Sequence, residues 1–393
     1  MTLASFKYAD TIHRCFRCGY CKFPTNWMDV NNCPAYARFR METYSCGGRL
    51  WLTKAWLNNE IEWTDHLAKI MYTCTACKNC EEKCPLRFNV DIMNMITAVK
   101  SEMVERGLIP SQVKDFLENV QRQGNPYGKA RAKRGEWIEG IEVPQYEGQD
   151  FLYYVGCVGS YDTRAQETAR TLGKVLMKAG ISFGVLGSEE NCDGNEVNAL
   201  GEETLFEMMA EENVTQFKEL GVQKIVTLSP HSYNAFKNDY PLHDGNFKVF
   251  HYTQVLRDLI QGERLDVSRG PNARVTYHDP CFLGRWNGEY DAPRMILNAI
   301  PGIELVELEK NRAGALCCGG GGGNFYTDFL GGSESSPARI RAREAYATGA
   351  NVLAVACPNC MTMLEDAVKA EGLEDKMDVK DISEIVVEAT GIA

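Results

Sequence analysis

Positive charge is in short supply. The 393 residues carry 42 Lys and Arg against 53 Asp and Glu, a formal net charge of −11, with a pI of about 5.2. A polyanionic partner such as DNA or RNA is thereby excluded, because such binding rests on clustered cations. Long apolar runs are missing too. The most apolar stretches, Ile225–Leu228 and Val352–Ala356, have the length of strands, so no membrane span is expected. Met1 to Phe16 holds no apolar core of signal-peptide length, which points to the cytoplasm. No G-x-G-x-x-G opens a helix after a strand, and no Gly-Lys-Ser/Thr follows a glycine run. Without a flavin or nicotinamide fingerprint, any electrons the chain handles must be exchanged with another protein. At 44% hydrophobic and 24% charged, the composition is that of a globular protein, and the length suits two or three domains.

What is abundant is cysteine: 16 residues, mostly in tight groups. A secreted disulfide scaffold would be short and loop-rich. Thiols at fixed short spacing in a long chain without a secretion signal read as metal ligands. Cys74-Thr-Ala-Cys77-Lys-Asn-Cys80-Glu-Glu-Lys-Cys84-Pro85 is C-x₂-C-x₂-C-x₃-C-P. That spacing wraps three thiolates around one iron–sulfur cubane and sends the fourth to a second cluster. Cys15-Phe-Arg-Cys18-Gly-Tyr-Cys21, followed after eleven residues by Cys33-Pro34, is the same motif with its last interval stretched. By analogy the ligation is crossed. One cubane takes Cys15, Cys18, Cys21 and Cys84; the other takes Cys74, Cys77, Cys80 and Cys33. Two four-thiolate zinc sites are the rival reading, but zinc ribbons use two C-x₂-C pairs rather than three cysteines in one run. Cys46 fits neither pattern and reads as a free thiol.

The chain changes grammar at residue 151. Before it, helical periodicity dominates. Asn89-Val90-Asp91 begins a helix running to Val104, and Ser111 caps another whose apolar face is Val113, Phe116, Leu117 and Val120. Residues 1–121 form a helical two-cluster domain. Residues 122–150, with Lys129, Arg131, Lys133 and Arg134, read as a solvated linker. A docking contact for an acidic partner is the sharper alternative. From 151 onward strands alternate with helices, which implies parallel α/β layers. The strands are Phe151–Val155, Ile181–Leu186 and Ile225–Leu228, then Arg274–Tyr277, Glu304–Glu307 and Val352–Ala356. The fold class is thus α plus α/β.

Residues 151–268 and 269–393 are a repeat. Cys157 and Cys281 follow the first strand of each half, and Cys192 and Cys317 sit in a glycine-containing loop. Ser229-Pro-His231-Ser232 and Cys357-Pro-Asn-Cys360 follow the last strand. The loops beyond strand carboxyl ends converge on one crevice in such sheets. Cys281, Cys317, Cys318, Cys357 and Cys360 can therefore meet. The run Gly319 to Gly323, with Gly319, Gly320 and Gly321 nearest the cysteines, lets backbone approach a cluster and donate N–H groups to its sulfides.

Tyr277-His-Asp-Pro-Cys281-Phe-Leu-Gly-Arg285, Cys317-Cys318-Gly-Gly-Gly-Gly and Ala356-Cys357-Pro-Asn-Cys360 resemble the cysteine-rich CCG domain. That domain occurs in the B and D components of heterodisulfide reductase. Related proteins occur in glycolate oxidases, anaerobic glycerol-3-phosphate dehydrogenase, sulfite-reduction complexes and class II benzoyl-CoA reductase complexes. The order of parts resembles the heterodisulfide reductase D-like proteins over nearly the whole chain. The resemblance implies a non-cubane [4Fe–4S] cluster on Cys281, Cys317, Cys318, Cys357 and Cys360, beside two cubanes. His278 would donate a proton or hydrogen bond to this cluster or its substrate, or else be a turn residue bonded to Asp279; Arg285 would contact an anion.

The first module departs from the pattern. Asp193 stands where the second has Cys318, and serines stand at 229 and 232. Serine is a poor cluster ligand because its alkoxide is hard to form, so this module reads as vacant and structural. A zinc on Cys157, Cys192, His231 and Asp193 is the alternative. The family's two-cluster disulfide cleavage is then not expected. The function that follows is an iron–sulfur electron-transfer subunit of a cytoplasmic heterodisulfide reductase-like complex. Its partners would be flavin- or cluster-containing redox subunits. A disulfide or thiol reductase acting at the C-terminal cluster, and a zinc-holding scaffold, are the other readings.

Overall fold

The computed structural model describes residues 6–23, 28–29, 31–86, 88 and 92–392. Strands β1 (Phe151–Tyr154), β2 (Phe183–Gly184), β3 (Lys224–Thr227) and β4 (Lys248–His251) form one parallel sheet in the order β2-β1-β3-β4. Strands β5 (Ala273–Tyr277), β6 (Ile303–Leu305), β7 (Val352–Val355) and β8 (Asp378–Asp381) form a second in the order β6-β5-β7-β8. The two orders are the same, as a duplication requires. Each sheet reverses direction between its first and third strands, the place where such folds bind ligands. The loops after β1, β5 and β7, which bear Cys157, Cys281, Cys357 and Cys360, leave from these switch points, as does the Ser229–Ser232 turn after β3.

The central strands explain themselves. Leu152, Tyr153 and Tyr154, and Leu353 to Val355, are covered by helices on both faces and fully buried, as parallel strands must be. β4 and β8 had no signal in the sequence. Their polar residues, Lys-Val-Phe-His and Asp-Val-Lys-Asp, belong to edge strands, where one side is solvated and the periodicity weakens. The modules join through Tyr252, whose hydroxyl donates to both Asp381 oxygens at 2.8 Å. Arg164 adds bonds to Glu365 and Glu384, each 2.6 Å.

Ahead of the sheets lies the helical domain, with helices Cys46–Leu57, Asp65–Tyr72, Ile92–Glu105 and Ser111–Gln123. Asn89, Val90 and Asp91, expected to open the third of these, lie outside the described residues. Ser111 is inside its helix rather than capping it; Pro110 holds the N-cap position. The domain docks on the first module through Lys100 Nζ, which donates to Ala199 O at 2.9 Å, and Tyr72 Oη, which donates to Leu200 O at 3.1 Å. The segment 122–150 is not uniformly solvated. Arg134 and Trp137, in the 3₁₀ stretch Arg131–Ile138, are 1% and 2% exposed. The cause is an internal carboxylate: Arg134 Nη2 pairs with Glu190 at 2.9 Å. Among the described residues no helix is long and apolar enough to cross a membrane.

Candidate metal centres

Cys15, Cys18 and Cys21 lie on irregular chain that turns through Arg17 and Gly19, both in the left-handed region. Together with Cys84 they line one hollow. Cys84 ends the short helix Asn79–Lys83, and its extended backbone carries it toward Cys18 and Cys21. Cys33 turns the other way. It precedes the helix Pro34–Phe39 and faces Cys77 and Cys80, where burial pushes its thiol up to about 12. The fourth cysteine of each motif thus lies beside members of the other motif. Arg49 lies 1% exposed beside Cys33 and Cys74 and donates to Ile70 O at 2.9 Å and Thr73 Oγ1 at 2.7 Å. This buried cation lies beside two candidate ligands, and the Ser-Cys-Gly-Gly-Arg49 stretch gave no sequence warning of it.

Cys46 is free of any disulfide but is not without partners. It is buried and hydrogen-bonded to Cys21 on one side and Cys80 on the other. It therefore stands between the two four-thiol sets.

The C-terminal cysteines gather as well. Cys281 Sγ lies 3.9 Å from Cys317 Sγ, and Cys318 Sγ 3.3 Å from Cys360 Sγ. All five are buried. Hydrogen bonds from Cys317 and Cys360 hold Cys318 well below the usual thiol range. Burial raises Cys357, but hydrogen bonds from Cys360 and His231 bring it down to about 5. His278 is fully buried, and burial together with Arg341 depresses it to about 3. Its Nδ1 accepts from Arg341 Nε at 3.2 Å, so the proton of the neutral ring sits on Nε2. That Nε2 has no partner, and neither do Arg285 Nη2 and Arg341 Nη2. Three orphaned donors around a knot of thiols suit an anionic group that accepts them. His278 Nε2 is thus free to donate toward the thiols, and among the described hydrogen bonds the ring does not bond Asp279; Arg294 takes that carboxylate at 2.7 and 2.9 Å.

A single zinc fits less well. A tetrahedral ion with Zn–S of about 2.3 Å holds its sulfurs about 3.8 Å apart. Among the described residues only His278, Cys318 and Cys360 bring three ligand atoms within 4.8 Å of one another. Both four-thiol sets of the helical domain are wider than that, as a polynuclear cluster needs, and five thiols exceed the ligand count of one zinc.

The helical domain and the second module meet at these sites. Cys77 is hydrogen-bonded to Cys317. Arg285 Nε donates to Cys77 O at 2.5 Å and Nη1 to Ala315 O at 2.7 Å, so this residue ties two cysteine loops together. Trp286 Nε1 adds a bond to Ala76 O at 2.8 Å. The glycine run serves this junction more than expected. A Cβ on Gly321 would meet Thr75 O at 2.5 Å, and one on Gly322 would meet Cys74 O at 2.4 Å. Gly319 N does donate to Cys317 Sγ at 3.3 Å, and a Cβ on Gly320 would lie 3.8 Å from Cys318 Sγ.

In the first module Cys157, Cys192, Asp193 and His231 line one hollow, but the carboxylate and the imidazole already have partners. Asp193 is occupied by Ser232 Oγ at 2.7 Å and Asn195 N at 2.9 Å. His231 bridges the two modules. Its Nδ1 lies 2.5 Å from Glu196 Oε1, and it is hydrogen-bonded to Cys357 across the interface. Burial opposes charge on this ring, but Glu196 and Cys357 outweigh it and raise its pKa. Glu196 in turn accepts from Gly323 N. This His–Glu pair went unseen as part of the second module's site. Its signal was there, in a histidine placed inside the Ser-Pro-x-Ser turn that mirrors Cys-Pro-x-Cys.

Comparison with known proteins places this geometry. Residues 11–88 match the 4Fe-4S dicluster domain, and residues 151–237 and 275–365 each match the cysteine-rich domain designated CCG. The D component of the dihydromethanophenazine:CoB–CoM heterodisulfide reductase of Methanosarcina barkeri is 30% identical, over 96% of this chain and 94% of that one. The chain belongs to the heterodisulfide reductase D-like family. Its matched domains are those of an iron–sulfur protein related to that component. Two further relatives are the probable iron-sulfur-binding oxidoreductase FadF of Bacillus subtilis, 38% identical, and the EtfAB:quinone oxidoreductase of Syntrophomonas wolfei, 34% identical. They are matched over 81% and 82% of this chain but 46% and 47% of their own, so the chain spans about half the length of these relatives. A crystal structure of a hypothetical protein from Helicobacter pylori shares the fold at TM-score 0.54 and 11% identity, covering 92% of this chain and 71% of that one.

Proposed function

We propose that the chain is the electron-transfer subunit of a cytoplasmic heterodisulfide reductase-like complex, with two cubane sites and one non-cubane [4Fe–4S] site laid end to end. The ligands would be Cys15, Cys18, Cys21 and Cys84, then Cys74, Cys77, Cys80 and Cys33, then Cys281, Cys317, Cys318, Cys357 and Cys360. The observation that carries this reading is the unbroken run of sulfur contacts. Cys21 touches Cys46, Cys46 touches Cys80, and Cys77 touches Cys317. A redox partner, flavin- or cluster-containing, would dock nearest Cys18, the exposed member of the first set.

When bound, iron–sulfur clusters supply one-electron chemistry. The residues do the rest. Arg49 and Arg285 neutralise thiolate charge, burial excludes water, and His278 and Gly319 offer N–H donors to the C-terminal sulfurs. Anaerobic purification with iron and acid-labile sulfide analysis tests the reading. On the order of 12 iron atoms per chain are expected for three four-iron clusters. A value near 8 removes the C-terminal cluster, and zinc in place of iron overturns the proposal. Disulfide turnover by the isolated chain with reduced viologen would make it a reductase in its own right.

A further inference from the structure

Arg339, Arg341 and Arg343 alternate on the helix Pro337–Ala347, which packs beside the helix Pro358–Ala370 that carries Cys360. Arg339 and Arg343 turn outward to Glu371, at 2.6 and 2.5 Å. Arg341 turns inward and is fully buried. Burying a guanidinium is costly unless polar partners receive it. Its Nη1 meets Glu344 at 2.9 Å, a partly exposed carboxylate that water can serve equally well. Its Nε donates to His278 Nδ1 at 3.2 Å. This second bond is the one that reaches the C-terminal thiols: a ring nitrogen of His278, Cys318 Sγ and Cys360 Sγ all lie within 4.8 Å of one another.

That bond decides what the ring presents to the sulfurs. A neutral imidazole carries one proton, and the partner of one nitrogen fixes the state of the other. A guanidinium can only donate, so Nδ1 must accept and Nε2 must carry the proton. Nε2 is buried without a partner. The backbone is fixed as well, since His278 follows β5 and its N–H donates to Ala354 O at 3.0 Å. Asp279 does not compete for the ring. It is held by both Nη atoms of Arg294 and by the N–H of Arg312, the last at 2.7 Å. Were Nδ1 free, the proton could move to it and leave Nε2 an acceptor, the wrong polarity beside thiolates.

We propose that Arg341 is a positioning residue of the C-terminal centre: it locks His278 in the Nε2–H form, so that the ring donates to the sulfurs at Cys318 and Cys360 and raises the reduction potential of the group they hold. This role rests on the four-iron cluster of the proposed function. Its sign follows from charge. Reduction adds an electron, a donor to sulfur stabilises the more negative state, and hydrogen bonds to sulfur are among the factors that set such potentials. Arg341 acts through the ring, as the outer partners of metal-site histidines do.

The full chain is purified anaerobically with nitrogen-15 in its six histidines. Pulsed electron paramagnetic resonance of the oxidised C-terminal signal should show a weak histidine-nitrogen coupling, together with a proton coupling that is lost when the chain is prepared in heavy water. Absence of both in the parent chain overturns the role before any variant is made. In a redox titration, Arg341→Met and His278→Phe should each lower the midpoint of that signal. The nitrogen coupling should weaken in the first and vanish in the second. Adding Arg341→Met to His278→Phe should lower the midpoint little further. An equal fall in both backgrounds means that Arg341 acts by its charge alone, and overturns the role. About 8 iron atoms and no oxidised signal would instead remove the cluster, and with it the proposed function. Nitrogen NMR of the same labelled chain then reads the ring directly. A proton on Nε2 that Arg341→Met displaces keeps the positioning role; a proton on Nδ1 in the parent chain ends it.

Discussion

The two cysteine-rich modules have the same strand order and the same loops at the same strand ends, yet one gathers five thiols and the other two. In the second module, orphaned donors surround the thiols. In the first, Asp193, Ser229 and Ser232 are saturated by hydrogen bonds from within. The fold survives the loss of ligands because its core lies beneath the strands, in Leu152 and Ile225 as in Leu353, and not in the loops. The loops are then free to change task. His231 shows this: from a hollow it shares with Cys157 and Cys192, it reaches Cys357 of the other module.

The largest effect that would break the comparison is at the ligand positions themselves. Cys318→Ser should remove about 4 of about 12 iron atoms and the oxidised-state paramagnetic signal that the family resemblance implies. Cys157→Ala should leave iron and spectra unchanged. Iron assay and electron paramagnetic resonance on both variants decide it. Iron lost from Cys157→Ala would mean that the first module is not empty. An unchanged oxidised spectrum in Cys318→Ser would leave an ordinary four-thiolate centre.

The next effect is structural and confined to the first module. Arg134 and Glu190 are a buried pair at 2.9 Å, and Glu190 also accepts from Val155 N and Gly156 N, both at 2.9 Å. Removing one member of such a pair strands the other charge and costs about 3–5 kcal/mol. Arg134→Met should lower stability by that amount in urea unfolding, and adding Glu190→Gln should restore part of it. No loss in the single variant would mean the pair is solvated.

Gly322→Ala tests the junction. The residue has φ +61°, and a Cβ would meet Cys74 O at 2.4 Å. Backbone cannot yield as a side-chain tip does, so about 1–3 kcal/mol of strain is expected. It should appear as faster hydrogen exchange at residues 74–77 and 319–323, with both sheets unaffected.

Much of this architecture could be read from residue order. The cysteine spacings and the repeat between the halves located the thiols of the three candidate sets. Contacts between distant segments could not be read. Arg49, Arg134 and Arg341 look like surface cations in a one-dimensional pattern, and only folding shows each buried against sulfur, carboxylate or imidazole. The glycine run was legible as close approach, but not to which neighbour. Cys46 looked solitary because its partners, Cys21 and Cys80, belong to two different motifs.

The last contrast distinguishes the modules by pH. His251 and Asp381 occupy equivalent places, each capping the helix after its module's last strand, each with a capping box. Burial lowers His251 to about 3 and raises Asp381 to about 7. The unfolded values are about 6.5 and 3.9. Between about pH 3 and 6.5 the unfolded chain binds the His251 proton more tightly. Stability from this group is therefore full above pH 6.5 and lost as pH falls. Asp381 works in reverse: the folded chain holds its proton more tightly, so stability is full below about pH 3.9 and lost as pH rises toward 7. Each slope is at most about 1.4 kcal/mol per pH unit, and from about pH 4 to 6.5 the two oppose each other. His251→Gln should therefore make stability, relative to the parent chain, fall more steeply with rising pH in that window. Asp381→Asn should make it rise. Urea midpoints by far-UV circular dichroism across the window check both signs. Parallel behaviour of the two variants would show that the caps do not titrate as a pair of opposites, and that the modules differ only at their cysteines.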